Sequence, residues 1–272
     1  MEKYSVLMSV YAKENPQYLL QSIESIYSQT VLTDDFVLVC DGELTDELDA
    51  VISTFEEKYP DSFRVCRFSE NRGLGPALND GLRCCRNRLV ARMDSDDIAP
   101  ENRCELQLAA FEAAPELAVV GGSIKEFEGD PGNIVSEKVM PLTHSEILTY
   151  AKKRCPFNHP TVMYDKDVVL EFGGYPNLLL YEDYGLWAEL LAGGVVTCNL
   201  ADVLCYMRVD SGLYDRRGGI RYLKTAVKFR WTLYRKGFLG LSQFLFVTCV
   251  NMVVCLVPTF LRKIIYRVLL RK

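Results

Sequence analysis

The chain has 272 residues, 49% of them apolar, and a formal net charge of −5 at pH 7. That length and apolar content support one large packed domain, or a domain with an appendage, and exclude a disordered chain. Ten cysteines are scattered without a single CxxC pair, which speaks against a zinc knuckle or a redox motif and for reduced core thiols.

Tyr4 to Tyr11 is a short apolar run suited to a buried strand. The surrounding Met1 to Lys13 has neither the cationic start nor the apolar length of a secretory leader, so the folded part is expected in the cytoplasm. Pro16 to Gln29 carries Leu19, Ile23 and Ile26 at helical spacing. Phe36 to Cys40 reads as a second buried strand that stops at the turn pair Asp41-Gly42, and Asp46 to Tyr59 as a helix with Leu48, Val51, Ile52 and Phe55 inward. Phe63 to Phe68 is a third strand, followed by the loop Asn71-Arg72-Gly73-Leu74-Gly75 and a helix through Leu78 to Arg86. Leu89 to Met93 is a fourth strand ending at Asp94. This alternation predicts an α/β fold with a mostly parallel sheet and helices on both faces. Ligands of such sheets bind beyond the carboxyl ends of the strands, where Asp41 and Asp94-Ser95-Asp96-Asp97 fall.

Glu101 to Ala114 reads as a helix and Val119 to Phe127 as a strand, with a polar turn at Gly129 to Asn133. Glu182-Asp183 opens a further helix, with Leu186, Trp187 and Leu190 inward. His144 reads as a surface residue. From Ile220 a basic amphipathic helix is expected, with Ile220, Leu223, Val227 and Tyr234 on the apolar stripe and Arg221, Lys224, Lys228 and Arg235 on the other.

Residues 213–272 hold thirteen Lys or Arg against one acid, a balance of +12, which leaves −17 for residues 1–212. The tail therefore calls for an anionic partner. Gly237 to Leu261 contains no charge, which suits a membrane surface with anionic lipids and gives a nucleic acid nothing to hold; the acidic folded part also argues against nucleic acid. A single crossing conflicts with the basic flanks on both sides, Arg235-Lys236 before and Arg262-Lys263, Arg267, Arg271 and Lys272 after, and with Pro258 inside the run. Helices lying in the interface or a shallow re-entrant hairpin are expected, with a helix packed on the folded domain as the alternative.

Three carboxylates at a strand end are the hard oxygen donors that a divalent cation such as Mn2+ or Mg2+ takes, and such a cation neutralises a diphosphate. Asp94 and Asp96, two apart on an extended segment, share one side. The competing reading is that the acids cap a helix beginning at Glu101. A calcium loop fails, because Ala99 stands where glycine is needed and Pro100 follows.

Six ordered segments carry a resemblance: Ser5 to Tyr11, Val39 to Gly42, Asn71 to Leu82, Ala91 to Asp97, Asn158 to Met163, and Glu182-Asp183. Together they resemble family 2 glycosyltransferases of the GT-A fold, and within them the bacterial exopolysaccharide and O-antigen branch typified by the amylovoran transferases. The resemblance spans residues 4–210. It implies a catalytic domain over 1–212, with a nucleotide-sugar half (1–100) and an acceptor half (101–212), and a helical membrane-association tail over 213–272.

By the resemblance, Asp41 matches the acid that bonds the nucleotide base, and Ser9, Val10 and Tyr11 the strand end lining the base pocket. Arg72 lies in the loop that reaches the nucleotide. Asp94, with Ser95 beside it, matches the acid near the ribose, and Asp96 the metal ligand, with Asp97 as the alternative ligand. Asp183 resembles the general base that takes the acceptor's proton in an inverting transfer, Glu182 being the runner-up, and His159 sits near the diphosphate or the acceptor. The implied reaction moves one hexose or N-acetylhexosamine from a UDP-sugar donor to a lipid-linked (polyprenyl-diphosphate) saccharide acceptor at the cytoplasmic face of the inner membrane. The Gln-x-x-Arg-Trp motif of processive members is absent, since Val227 stands at the glutamine position before Arg230-Trp231. A nucleotidyltransferase-like enzyme and a non-catalytic sugar-nucleotide-binding protein are the rival readings; Leu7 to Asn15 lacks the glycine-rich basic signature that the first would need.

Overall fold

The computed structural model of the protein describes residues 2–209 and 219–257. The apolar runs become strands β1 (Tyr4–Val10), β2 (Asp35–Cys40), β3 (Phe63–Arg67) and β4 (Leu89–Asp94). Between them lie helices α1 (Pro16–Tyr27), α2 (Asp46–Lys58) and α3 (Leu74–Cys84). Strands β1, β2 and β4 are buried along nearly their whole length because helices cover both faces, which is why these runs do not alternate with polar residues. Then follow α4 (Arg103–Ala113), β5 (Leu117–Phe127), β6 (Ile134–Lys138), α5 (His144–Ala151), β7 (Met163–Asp165), α6 (Lys166–Glu171), α7 (Glu182–Ala192) and β8 (Val196–Arg208).

The sheet order is β3-β2-β1-β4-β7-β5-β6, with β8 also paired to β5. Pairs β1–β2, β1–β4, β2–β3 and β5–β8 are parallel, while β7 runs antiparallel between β4 and β5. The expected mixed, mostly parallel α/β sheet is the observed one. Chain order reverses on either side of β1, so the carboxyl ends of β1 and β4 frame a crevice.

Two differences from the sequence reading concern helix starts. Helix α3 begins at Leu74, not near Leu78, because Pro76 falls in the first turn, where its missing N–H costs nothing. Helix α4 begins at Arg103 behind Asn102, so none of the clustered acids caps it at Glu101. His144 is half-buried, its Nδ1 lying 3.3 Å from the Thr197 hydroxyl, and is not a free surface group.

Helix α8 (Gly219–Arg235) is followed by α9 (Leu241–Leu256). The expected apolar stripe of α8 is displaced. Ala226, Phe229, Arg230 and Leu233 are its buried positions, whereas Ile220 is 66% exposed. Aromatic partners decide this: Phe229 stacks on Tyr181 at 4.5 Å and meets Tyr184 edge-on at 4.9 Å, and Arg230 donates to the Tyr184 hydroxyl and the Lys153 carbonyl. The second basic cluster, Arg262 to Lys272, lies outside the described residues.

Candidate active site

Parallel register brings the strand ends together. Ser9 pairs with Asp94 and Val10 with Cys40, while the Asp41 amide donates to the Val10 carbonyl at 2.8 Å and Tyr11 projects beyond, 45% exposed. Asp41 is buried, and its two carboxylate oxygens accept the amides of Arg72 (2.8 Å) and Gly73 (2.9 Å). Gly42 makes this closure feasible: its φ is +93°, and a Cβ there would stand 2.9 Å from the Asn71 nitrogen. Asp41 thus fastens the loop that presents Arg72, whose guanidinium pairs with Asp80 at 2.5 Å and lies 4.3 Å over the Phe68 ring.

Beyond β4, the carboxylates of Asp94, Asp96 and Asp97 place a ligand oxygen each within 4.8 Å of one another. They are not equivalent. Asp97 is fully enclosed and accepts the Arg208 amide at 2.8 Å, and burial with its acidic neighbours drives its carboxyl well above the usual range. Asp96 is pushed up to about 7 by burial first, then by Asp94 and Glu14. Such a carboxyl gains from a cation, whose charge restores the ionised form. Three hard oxygen donors without sulfur or imidazole fit Mg2+ or Mn2+.

A second pair of acids stands at the start of α7. Asp183 is half-buried in its first turn and accepts the Cys155 thiol at 3.4 Å, while burial raises the carboxyl of Glu182. Leu180, three residues before Asp183, holds φ at +70°, a strained conformation for a side-chain-bearing residue. Two contacts tie the start of α7 to the rest of the sheet's edge. The first turn of α3 abuts α7 so closely that a Cβ on Gly75 would lie 3.2 Å from Glu182 Cγ. Tyr175, in turn, is close enough to feel the charges of Arg92, Asp183 and Asp94. His159 lies between Tyr175 and Trp187 with Nε2 3.0 Å from the Tyr175 hydroxyl, and burial, aided by Arg92, holds its imidazole well below the usual histidine range. It is a neutral hydrogen-bonding group.

Sequence reasoning assigned no role to the residues that hold this arrangement. Arg92, 1% exposed, is ion-paired to Asp94. Glu14 accepts the Ser95 hydroxyl at 2.6 Å. From the end of β8, Arg208 donates to the Asp96 carbonyl at 3.0 Å and to Gln21 at 2.8 Å, and stacks over Tyr18. Buried Arg103 donates to the Arg92 carbonyl at 2.6 Å, and Gln107 donates to the carbonyls of Val120 and Thr161. Their long-range partners are not visible as local spacing. The one signal available was that Arg92 lies two residues before Asp94 on a strand, hence on its side.

Comparisons with known proteins place the chain in a family and a fold. Residues 5–172 match the family described as Glycosyl transferase family 2. The UDP-Gal:alpha-D-GlcNAc-diphosphoundecaprenol beta-1,3-galactosyltransferase of Escherichia coli is 37% identical over 270 residues, 99% of this chain and 97% of that protein. The amylovoran biosynthesis glycosyltransferase AmsE of Erwinia amylovora is 37% identical over 262 residues, 95% and 97% of the two chains. Among solved structures, the mannosyltransferase PcManGT of Pyrobaculum calidifontis, in complex with GDP-Man and Mn2+, superposes with a TM-score of 0.67 at 18% identity, covering 95% of this chain and 71% of that one. The fold is therefore that of the GT-A glycosyltransferases. With a family match over more than half its length and relatives of this identity end to end, the chain belongs to glycosyl transferase family 2.

Proposed function

We propose that the protein moves one hexose or N-acetylhexosamine, with inversion, from a UDP-sugar to a polyprenyl-diphosphate-linked saccharide at the cytoplasmic face of the inner membrane. The observation that carries this reading is the three-carboxylate cluster beyond β4, and the half-buried Asp183 in the first turn of α7 supports it, since Tyr175 feels the charges of both Asp94 and Asp183. The E. coli relative named for a UDP-Gal donor and a diphosphoundecaprenol acceptor supports the substrate classes.

Asp96, with Asp94 beside it, would hold a divalent cation, which supplies charge neutralisation at the departing diphosphate. Asp97, held by the Arg208 amide, braces the loop from behind. Ser9, Val10, Tyr11 and the loop fastened by Asp41 offer a floor and rim for the uridine, and Arg72 stands at its phosphate side. Asp183 accepts the proton of the acceptor hydroxyl as its oxygen bonds to the anomeric carbon. The bond from that carbon to the phosphate oxygen breaks, its electron pair leaving with UDP. Glu182 is the alternative base, and His159, kept neutral, donates or accepts a hydrogen bond without adding charge.

The test is transfer from a panel of UDP-sugars to a synthetic polyprenyl-diphosphate sugar, with Mn2+ or Mg2+. Asp183→Asn should lower kcat by about 10²–10⁴ with little change in donor affinity. Asp96→Ala or a chelator should abolish turnover, and excess cation should restore only the chelated wild type. Full turnover in both variants would overturn the site. Nucleotide transfer in place of sugar transfer would favour the nucleotidyltransferase reading.

A further inference from the structure

Helix α9 is inside out for a helix in water. Leu245, Phe246, Val250, Met252 and Val253 on its outer side are 53%, 61%, 44%, 39% and 60% exposed. Its inner side buries Val247 and Cys255, and it also encloses the Oγ1 of half-buried Thr248 and the Nδ2 of half-buried Asn251, which have no partner among the described residues. Water would favour the opposite arrangement, since exposed apolar area and orphaned polar atoms both cost free energy. Hydrocarbon reverses the sense, with apolar side chains facing outward and polar ones turned to the protein.

The neighbouring surface has the layered chemistry of a bilayer's edge. Trp231 is 47% exposed and packs its ring 5.4 Å from Tyr234 and 5.6 Å from Phe244, forming an aromatic cluster at the α8–α9 junction. Lys224, Lys228, Arg235 and Lys236 are exposed on and just after α8, and residues 219–257 contain no acid. A second apolar point, Leu179-Leu180 at 60% and 51% exposure, directly precedes Tyr181, the ring that stacks on Phe229 of α8.

We propose that α9 lies in the plane of one leaflet of an anionic bilayer, its outer side in the acyl region, with Trp231 and the cations of α8 at headgroup level. Leu179-Leu180 touches the same leaflet, so the first turn of α7, with Asp183, lies close to the membrane surface. Sixteen residues extend about 24 Å, short of a hydrocarbon core of about 30 Å, and no described helix is long and apolar enough to cross. A second copy of the chain is a poorer occupant, because pairing would set these cations against their equivalents. The purpose of this placement, access to a lipid-linked acceptor, rests on the proposed function; the membrane contact does not.

The two tryptophans give the test, since Trp187 is buried and Trp231 is exposed. Vesicles mixing phosphatidylcholine with phosphatidylglycerol should blue-shift the emission of the full chain, and brominated acyl chains should quench it, with neither effect in Trp231→Phe. Binding should persist at about 1 M salt, where headgroup attraction alone is screened. The double variant Phe246→Asp/Val250→Asp should lower vesicle partitioning by about a hundredfold or more while transfer to a short water-soluble acceptor is unchanged. Absence of a vesicle-dependent shift, or loss of binding at high salt, overturns immersion. So does light scattering that finds a dimer broken by the double variant. Vesicle binding is read without sugar nucleotide, so an inactive enzyme that still binds leaves this inference standing, and an active one that does not bind refutes it alone.

Discussion

His159 illustrates how a residue's neighbours set its chemistry. Burial and the Arg92 guanidinium keep its imidazole neutral in the fold, while in the unfolded chain it protonates near 6.5. The unfolded state therefore takes up the proton first, and stability falls as pH drops below 6.5. The contribution has a limiting slope of about 1.4 kcal/mol per pH unit until the folded-state value is reached. Urea denaturation of the wild type and His159→Gln at about pH 7 and about pH 5 should show a shallower loss for the variant; equal slopes would mean that His159 is not held neutral. The acids differ in the same way. Spacing alone left Asp96 and Asp97 interchangeable as ligands. The amide of Arg208, more than a hundred residues away in sequence, occupies an oxygen of Asp97, and nothing near Asp97 in the chain announces that.

At the scale of elements, the first four strands and the helices between them were legible because each is a buried apolar run or an amphipathic period bounded by turn residues. Ends were less legible, as α3 shows, since a glycine-proline pair reads as loop and yet sits in a first turn. Helix α3 also contains Gly81, and local propensity argues that alanine there should stabilise by about 1 kcal/mol. Packing reverses the sign: a Cβ would lie 2.5 Å from both Leu7 Cδ1 and Val39 Cγ2. Gly81→Ala should therefore destabilise by about 1–3 kcal/mol in chemical denaturation, and a gain in stability would show that the strands yield. For α8 the period was right and the facing wrong. A charged residue, Arg230, is buried because the Tyr184 hydroxyl and the Lys153 carbonyl receive it, whereas Ile220 is left outside.

Across the whole molecule, α8 joins the same apolar cluster as α3 and α7, with Ala226, Phe229 and Leu233 packed among Tyr181, Tyr184 and Trp187. Phe229→Ala should cost about 3–5 kcal/mol of global stability and expose α8 to protease. An unchanged melting temperature would mean that the helix folds apart from the catalytic domain. The sequence by itself determined the alternation of strands and helices, the acids at two strand ends, the acid opening α7, and a cationic, apolar tail, because these follow from local periodicity, turn chemistry and charge. Only the tertiary structure decided that Asp94, Asp96 and Asp97 gather their carboxylates, that Arg92, Arg103 and Arg208 hold the surrounding backbone and acids, and which side of each tail helix is buried. Those outcomes depend on contacts between residues tens to hundreds of positions apart, which no local pattern encodes.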